Sequence, residues 1–288
     1  MGKVHEAIIS YENGRITDIL VRAGLEKGHA DEENCNVIER IRHKTYVDEL
    51  LMHMPDKDFK SGICICTSND PFPYHELVKL LHPQEMGYYD SLAFEKRKKS
   101  YLIGRYAAKH AIAALAGDKC NLHAMVIQQG VFNQPVATLG YEQNIQVSIS
   151  HCDDLGAALA FPEAHPMGID IEKVQADKCR VMESQMTQAE KNMITHASCS
   201  YDRLLTLLWT AKEALSKILR TGLTTPFHVF EIDKIESKSD HSICFFENFG
   251  QYKAISFDVG VYVCSLVIPD RTEISIDIPR VRRVLETV

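Results

Sequence analysis

The 288-residue chain has no apolar run of membrane-spanning length, so a bilayer anchor is not expected. Its opening Met1-Gly2-Lys3-Val4-His5-Glu6 lacks the apolar core of a secretion signal. The sixth residue is Glu, where a myristoylation signal takes Ser or Thr. An excess of positive charge is missing too. Lys and Arg total 32 against 39 Asp and Glu, a net charge of −7, which argues against general nucleic-acid binding. Paired cysteines are absent as a pattern: the count is nine, odd and scattered, mostly in segments that read as apolar elements. Cys64-x-Cys66 has strand spacing and no matching second pair, so core packing is favoured over a metal. Reduced thiols and a cytoplasmic location are the expectation. What is present is ordinary for a soluble globule, 45% hydrophobic and 25% charged, with length for one large core or two modest ones.

Two short segments carry chemistry. In Met167-Gly168-Ile169-Asp170-Ile171-Glu172 the apolar and acidic residues alternate, the period of a strand with one buried face. Residues i and i+2 share a face, so Asp170 and Glu172 point the same way. The second segment, Trp209-Thr-Ala-Lys-Glu-Ala-Leu-Ser-Lys217, sits in a helical pattern of Leu204, Leu205, Leu208, Leu215, Ile218 and Leu219, with Gly222 as a stop. Glu213 and Lys217 are helical neighbours. Alone, Asp-x-Glu fits a solvated strand face, and Glu-x-x-x-Lys fits a helix ion pair. Together they supply three carboxylates with no local His or Cys, a set that suits Mg²⁺ or Mn²⁺ held against phosphates.

In order and spacing, these two segments resemble the signature pair of the 4′-phosphopantetheinyl transferases, in their larger, single-chain, pseudo-dimeric class. Val147-Ser-Ile-Ser-His151 resembles the family's Ser-His motif. Lys96-Arg97-Lys98-Lys99 and Gly104-Arg105-Tyr-Ala-Ala-Lys109 resemble its basic helix. Asn133-Gln134-Pro135 stands where Gly-Lys-Pro is frequent, so one basic contact to the nucleotide is replaced. The resemblance covers residues 80 to 270. It implies transfer of the phosphopantetheine arm of coenzyme A to a serine of an acyl or peptidyl carrier protein, with release of 3′,5′-ADP. On that reading Asp170, Glu172 and Glu213 hold Mg²⁺, with Mn²⁺ as a substitute. Lys217 meets the pyrophosphate, and Lys212 steadies the site or meets the carrier. Arg97, Arg105, Ser150, His151 and the backbone of Gln134 contact coenzyme A. Glu190 is the base for the serine hydroxyl, although Thr187-Gln-Ala-Glu190 also fits a helix capping box. Partners are coenzyme A and the carrier, with no nucleic acid or membrane. A carboxylate-metal nucleotide phosphohydrolase and a degenerate coenzyme A-binding scaffold are the competing readings.

An internal echo supports two similar halves. Ala108-Lys109-His110-Ala111 parallels Ala211-Lys212-Glu213-Ala214, and His82-Pro-Gln-Glu85 parallels Thr187-Gln-Ala-Glu190. His110 then stands in the place of Glu213, so one site between the halves is expected. The fold class is α+β: two α/β halves with antiparallel sheets and packed helices. Residues 1–70 read as an N-terminal extension or part of the first half, 71–165 as the first half and 166–288 as the second. Helices are expected over Met86 to Ala116, 188–197 and 201–220. Strands are expected near Met125–Gln129, Gln146–Ser150, Gly156–Phe161, Val229–Ile232, Ser242–Phe246, Ala254–Phe257 and Val261–Val267. Asn13-Gly14 predicts a hairpin between Ala7–Tyr11 and Ile16–Arg22. Val37 to Met54 has helical spacing, Ile63–Cys66 reads as a strand, and Asn69-Asp70-Pro71 reads as a turn.

Overall fold

The computed structural model describes residues 44–68, 74–117, 121–138, 144–195 and 199–285, together with the backbone of two N-terminal strands. Those two, β1 (Ala7–Glu12) and β2 (Arg15–Val21), pair antiparallel as the hairpin reading expected. Asn13-Gly14 and Asn69-Asp70-Pro71 lie outside the described residues. β3 (Thr45–His53) and β4 (Asp58–Thr67) follow, then a 3₁₀ turn at Tyr74–Leu80 and the helices α1 (Pro83–Ser91) and α2 (Glu95–Ala116). Next come β5 (Val126–Gln129), β6 (Pro135–Thr138), β7 (Ile145–Cys152), β8 (Leu155–Pro162) and β9 (Gly168–Lys173). The helices α3 (Ala176–Ser184), α4 (Gln188–Thr195) and α5 (Tyr201–Ile218) precede β10 (Ile232–Ser237), β11 (Ser242–Phe246), β12 (Tyr252–Val259) and β13 (Tyr262–Pro269). The described chain closes with β14 (Glu273–Ile274) and α6 (Ile278–Leu285).

Seven strands form one antiparallel sheet in the order β14-β3-β4-β8-β7-β6-β5, and five form a second in the order β10-β11-β12-β13-β9. The two sheets face each other across a central core. Ile63 and Ile65 of β4, Leu155, Ala157, Leu159 and Phe161 of β8, Ile169 and Ile171 of β9, and Phe257 and Leu266 of the second sheet all contribute to it. Each outer sheet face is covered by a long helix: α2 packs over the first sheet, α5 over the second. The result is a mixed α+β molecule with two sheet-and-helix halves packed sheet to sheet. Burial of each large aliphatic side chain in these cores contributes about 1.5–3 kcal/mol.

The repeat seen in the sequence is present in three dimensions. A Cβ on Gly62 of β4 would lie 1.9 Å from the carbonyl oxygen of Ala111 on α2. One on Gly168 of β9 would lie 2.1 Å from that of Ala214 on α5. In both halves a helix backbone therefore rests directly on a strand, at a glycine that leaves room for it. β3 and β4 are integral to the first sheet. The helical expectation for Val37 to Met54 is corrected over its described part, because Thr45–His53 is a strand. Tyr46, Leu50 and Met52 face the central core, while Val47 packs with the α2 core. Burial on both faces removes the clean alternation that marks a half-exposed strand. The expected helix from Met86 to Ala116 is interrupted at Leu92–Phe94.

Candidate active site

The site is built where the two sheets abut. β9 is an edge strand, and its outward N–H groups face β7. The N–H of Ile169 donates to Ser148 Oγ (3.1 Å) and that of Ile171 to Ser150 Oγ (3.3 Å). Serine hydroxyls thus satisfy an edge that would otherwise be bare. Both faces of β9 are covered. Ile169 and Ile171 point into the central core. Gly168, Asp170 and Glu172 occupy the other face, against α5.

Asp170 is buried, with 6% of its surface exposed. Its Oδ1 accepts from Ser150 Oγ (2.6 Å) and from Lys217 Nζ (2.8 Å). Its Oδ2 is buried with no hydrogen-bond partner. An unpaired carboxylate oxygen away from water is costly unless a donor or cation meets it. Lys217, on the last turn of α5, also donates to the Ile169 carbonyl (2.7 Å), which ties α5 to β9. Glu172 accepts from Lys178 Nζ of α3 (2.8 Å) and faces the Cys152 thiol (3.4 Å), whose pKa is pushed up to about 12, mainly by burial. Glu213 is half-buried. Burial first, then the nearby charge of Asp170, raises its pKa to about 7; Lys217 opposes the shift and Glu172 adds to it. Glu213 therefore lies close enough to Asp170 and Glu172 to feel both of their charges.

Among the described residues, no three His, Cys, Asp or Glu side chains already stand in a ligating arrangement. Lysines hold one oxygen each of Asp170 and Glu172. The donor set still fits a hard cation: all-oxygen, mutually repelling, with one buried oxygen unpaired.

Other expected contacts fall into place differently. The Ser150 hydroxyl, expected to meet nucleotide, donates to Asp170. His151 sits at the accessible rim next to it. Desolvation in the cleft, then Lys217, lowers its pKa, while Asp170 and Glu172 pull the other way. Gly104 places α2 against β7 here, its Cβ position 4.0 Å from His151 Cδ2. Arg97 is exposed on the first turns of α2. Arg105 is mostly turned inward, stacked over Tyr101 (4.4 Å) with Nε 3.5 Å from Glu85. Gln134 folds back on the β5–β6 turn, its Oε1 accepting from the Phe132 N–H (2.9 Å).

Glu190 and Lys212 are both fully buried and form an ion pair of 2.6 Å. Glu190 also accepts from the backbone N–H of Thr187 (2.8 Å) and of Ile232 (3.0 Å), and its own N–H donates to the Thr187 hydroxyl oxygen (3.2 Å). The capping box allowed by the sequence is formed. Lys178 and Cys152 are residues at the acidic cleft that the sequence did not flag. Neither carries a pattern, and only the path of α3 after β9 brings Lys178 back to Glu172.

The family model of the 4′-phosphopantetheinyl transferase superfamily matches residues 166–267, and that of the 4′-phosphopantetheinyl transferase N-terminal domain matches residues 89–161. Enterobactin synthase component D of Salmonella typhi is 29% identical over 164 residues, covering 54% of this chain and 60% of that one. The protein of the same name from Salmonella typhimurium is 29% identical over 157 residues, with the same coverage. The match thus spans about three fifths of the length of these curated relatives. A holo-(acyl-carrier-protein) synthase from Bacillus anthracis, solved in complex with CoA (3′,5′-ADP), is 18% identical with a TM-score of 0.31. It covers 38% of this chain and 96% of its own. With one family model over each half, and the acidic strand and lysine helix inside the second, this chain belongs to the 4′-phosphopantetheinyl transferase superfamily.

Proposed function

We propose that the protein transfers the 4′-phosphopantetheine group of coenzyme A to a serine of an acyl or peptidyl carrier protein and releases 3′,5′-ADP. The observation that carries the reading is the convergence of Asp170, Glu172, Glu213 and Lys217 at the junction of the halves, in a chain of this family. Asp170, Glu172 and Glu213 would hold Mg²⁺, which supplies charge neutralisation on the pyrophosphate when bound. Mn²⁺ suits the same oxygen donors.

The remaining steps belong to the chain. Lys217 lies within reach of the same phosphates and offsets the charge that gathers on the departing 3′,5′-ADP. The serine oxygen attacks the β-phosphorus, the bond from that phosphorus to the bridging oxygen of 3′,5′-ADP breaks, and the serine proton passes to solvent water. His151, a hydrogen-bonding ring at the rim, and Arg97, an exposed cation on α2, suit the 3′-phosphate of coenzyme A. The Ser150–Asp170 bond fixes the carboxylate for its task rather than reaching the nucleotide.

Incubation with apo-carrier, coenzyme A and Mg²⁺, followed by intact mass measurement of the carrier, tests this. A phosphopantetheine-sized gain that disappears with EDTA is expected. No gain across fatty-acid, polyketide and peptide carriers, despite tight coenzyme A binding, would favour a scaffold. Conversion of coenzyme A without carrier would favour a phosphohydrolase.

A further inference from the structure

The two halves contain the same buried device. In the second half, Glu190 of α4 pairs with Lys212 of α5 (2.6 Å), its other oxygen accepts from the Ile232 N–H of β10 (3.0 Å), and Lys212 also points to the Gln185 carbonyl (3.4 Å). In the first half, Glu85 of α1 pairs with Lys109 of α2 (2.7 Å), its other oxygen accepts from the Ile127 N–H of β5 (3.0 Å), and Lys109 donates to the Leu80 carbonyl (2.6 Å). Each glutamate closes a capping box on its own helix, through His82 in one half and Thr187 in the other. All four charged side chains are 0–1% exposed.

The first half has the device without the acidic cleft. At the positions matching Asp170, Glu172 and Glu213 stand Cys64, Cys66 and His110, all buried. A constellation repeated contact for contact where those carboxylates are missing is explained by architecture. We infer that Glu190 and Lys212 are positioning residues: their ion pair fixes the rotation of α5 so that Glu213 and Lys217 face β9. Glu190 then does not deprotonate the carrier serine, and Lys212 does not touch phosphate. The path is short. Lys212 immediately precedes Glu213, and Glu190 anchors it to the β10 backbone. Removing one partner leaves a buried charge uncompensated, whereas replacing both leaves none.

The inference rests on the transferase reading for its cation, and its test separates the two. Mn²⁺ binding to the free protein is followed by electron paramagnetic resonance, and turnover is followed by carrier mass. Glu190→Gln and Lys212→Met are each expected to weaken Mn²⁺ binding about 10-fold or more, the scale of lost outer support around a metal. The double variant Glu190→Gln/Lys212→Met is expected to recover both Mn²⁺ binding and turnover to within about 3-fold of the parent, since the buried charge is gone. Glu85→Gln is expected to lower the melting temperature with Mn²⁺ affinity unchanged. If Glu190→Gln binds Mn²⁺ like the parent while turnover collapses and the acidic limb of its pH–rate profile vanishes, Glu190 is a base and the inference is wrong. Where the single variants do not fold, the double variant decides. Recovery supports positioning, and a folded double variant without turnover overturns it. A parent that loads no carrier at all counts against the transferase reading, while the Mn²⁺ comparison still judges the ion pair.

Discussion

Asp170 is the residue on which the cleft turns, because its two oxygens have different surroundings. One is held by Ser150 and Lys217; the other is buried and unpaired. Asp170→Asn keeps an acceptor for the serine and the lysine but removes the charge. The expected outcome is a folded protein whose carrier loading falls at least ~100-fold, a loss of the size seen when a charge-stabilising group is removed. Circular dichroism and carrier mass would check it together. A variant that loads at the parent rate would remove Asp170 from the cation site. At this scale the sequence was legible where side-chain type and period coincide. The Ile-Asp-Ile-Glu alternation put two carboxylates on one strand face, and that is where they lie. It was silent on partners. Ser150 is a hydroxyl in any motif, and only the approach of β7 to β9 assigns it to Asp170. The inward turn of Arg105 depends likewise on Glu85, a residue on another helix.

Among the elements, β9 and α5 meet with almost no tolerance. At Gly168 the obstacle to a methyl group is the Ala214 carbonyl at 2.1 Å, which is backbone and cannot rotate away. Gly168→Ala must therefore lift α5 from β9 and carry Glu213 and Lys217 with it. The expected cost is about 1–3 kcal/mol of stability, the usual scale of overpacking, with transfer reduced more than stability alone explains. Gly62→Ala meets the Ala111 carbonyl at 1.9 Å and is expected to destabilise as much without displacing the acidic cluster directly. Urea unfolding of both variants beside a carrier-loading assay distinguishes the two. Equal losses of loading at equal stability would show that the β9–α5 contact has no special link to the site. Long amphipathic helices such as α5 were readable from their period. α3, at Ala176–Ser184, was not expected, nor was the strand character of Thr45–His53, because buried residues on both faces of a strand blur its period. The break between α1 and α2 at Leu92–Phe94 has no proline or glycine to announce it.

Across the whole molecule, the halves are joined by more than the loop between β8 and β9. The family match ends at residue 267, yet the chain then returns to the first sheet. β14 pairs with β3, Arg280 reaches Asp48 (3.3 Å), and α6 inserts Ile278, Val281 and Leu285 into the central core. His165, in the β8–β9 loop, ties this returning segment down through Thr272 Oγ1 at 2.8 Å. Both residues are buried, His165 also lies against the Phe59 ring, and burial lowers the His165 pKa. The unfolded chain protonates this histidine near its ordinary value of about 6.5, while the fold favours the neutral ring. Its contribution to stability is complete above about pH 6.5 and is lost as the pH falls through the depressed native value. His165→Gln removes the titration while leaving a polar group near Thr272. The expected result is that the drop in unfolding free energy between about pH 7.5 and about pH 5.5 is smaller in the variant than in the parent. An undiminished drop would place the acid sensitivity elsewhere. Because the tie holds the strap that crosses from the second sheet to the first, its acid release should loosen the packing between the sheets, and carrier loading should then fail over the same pH range as stability.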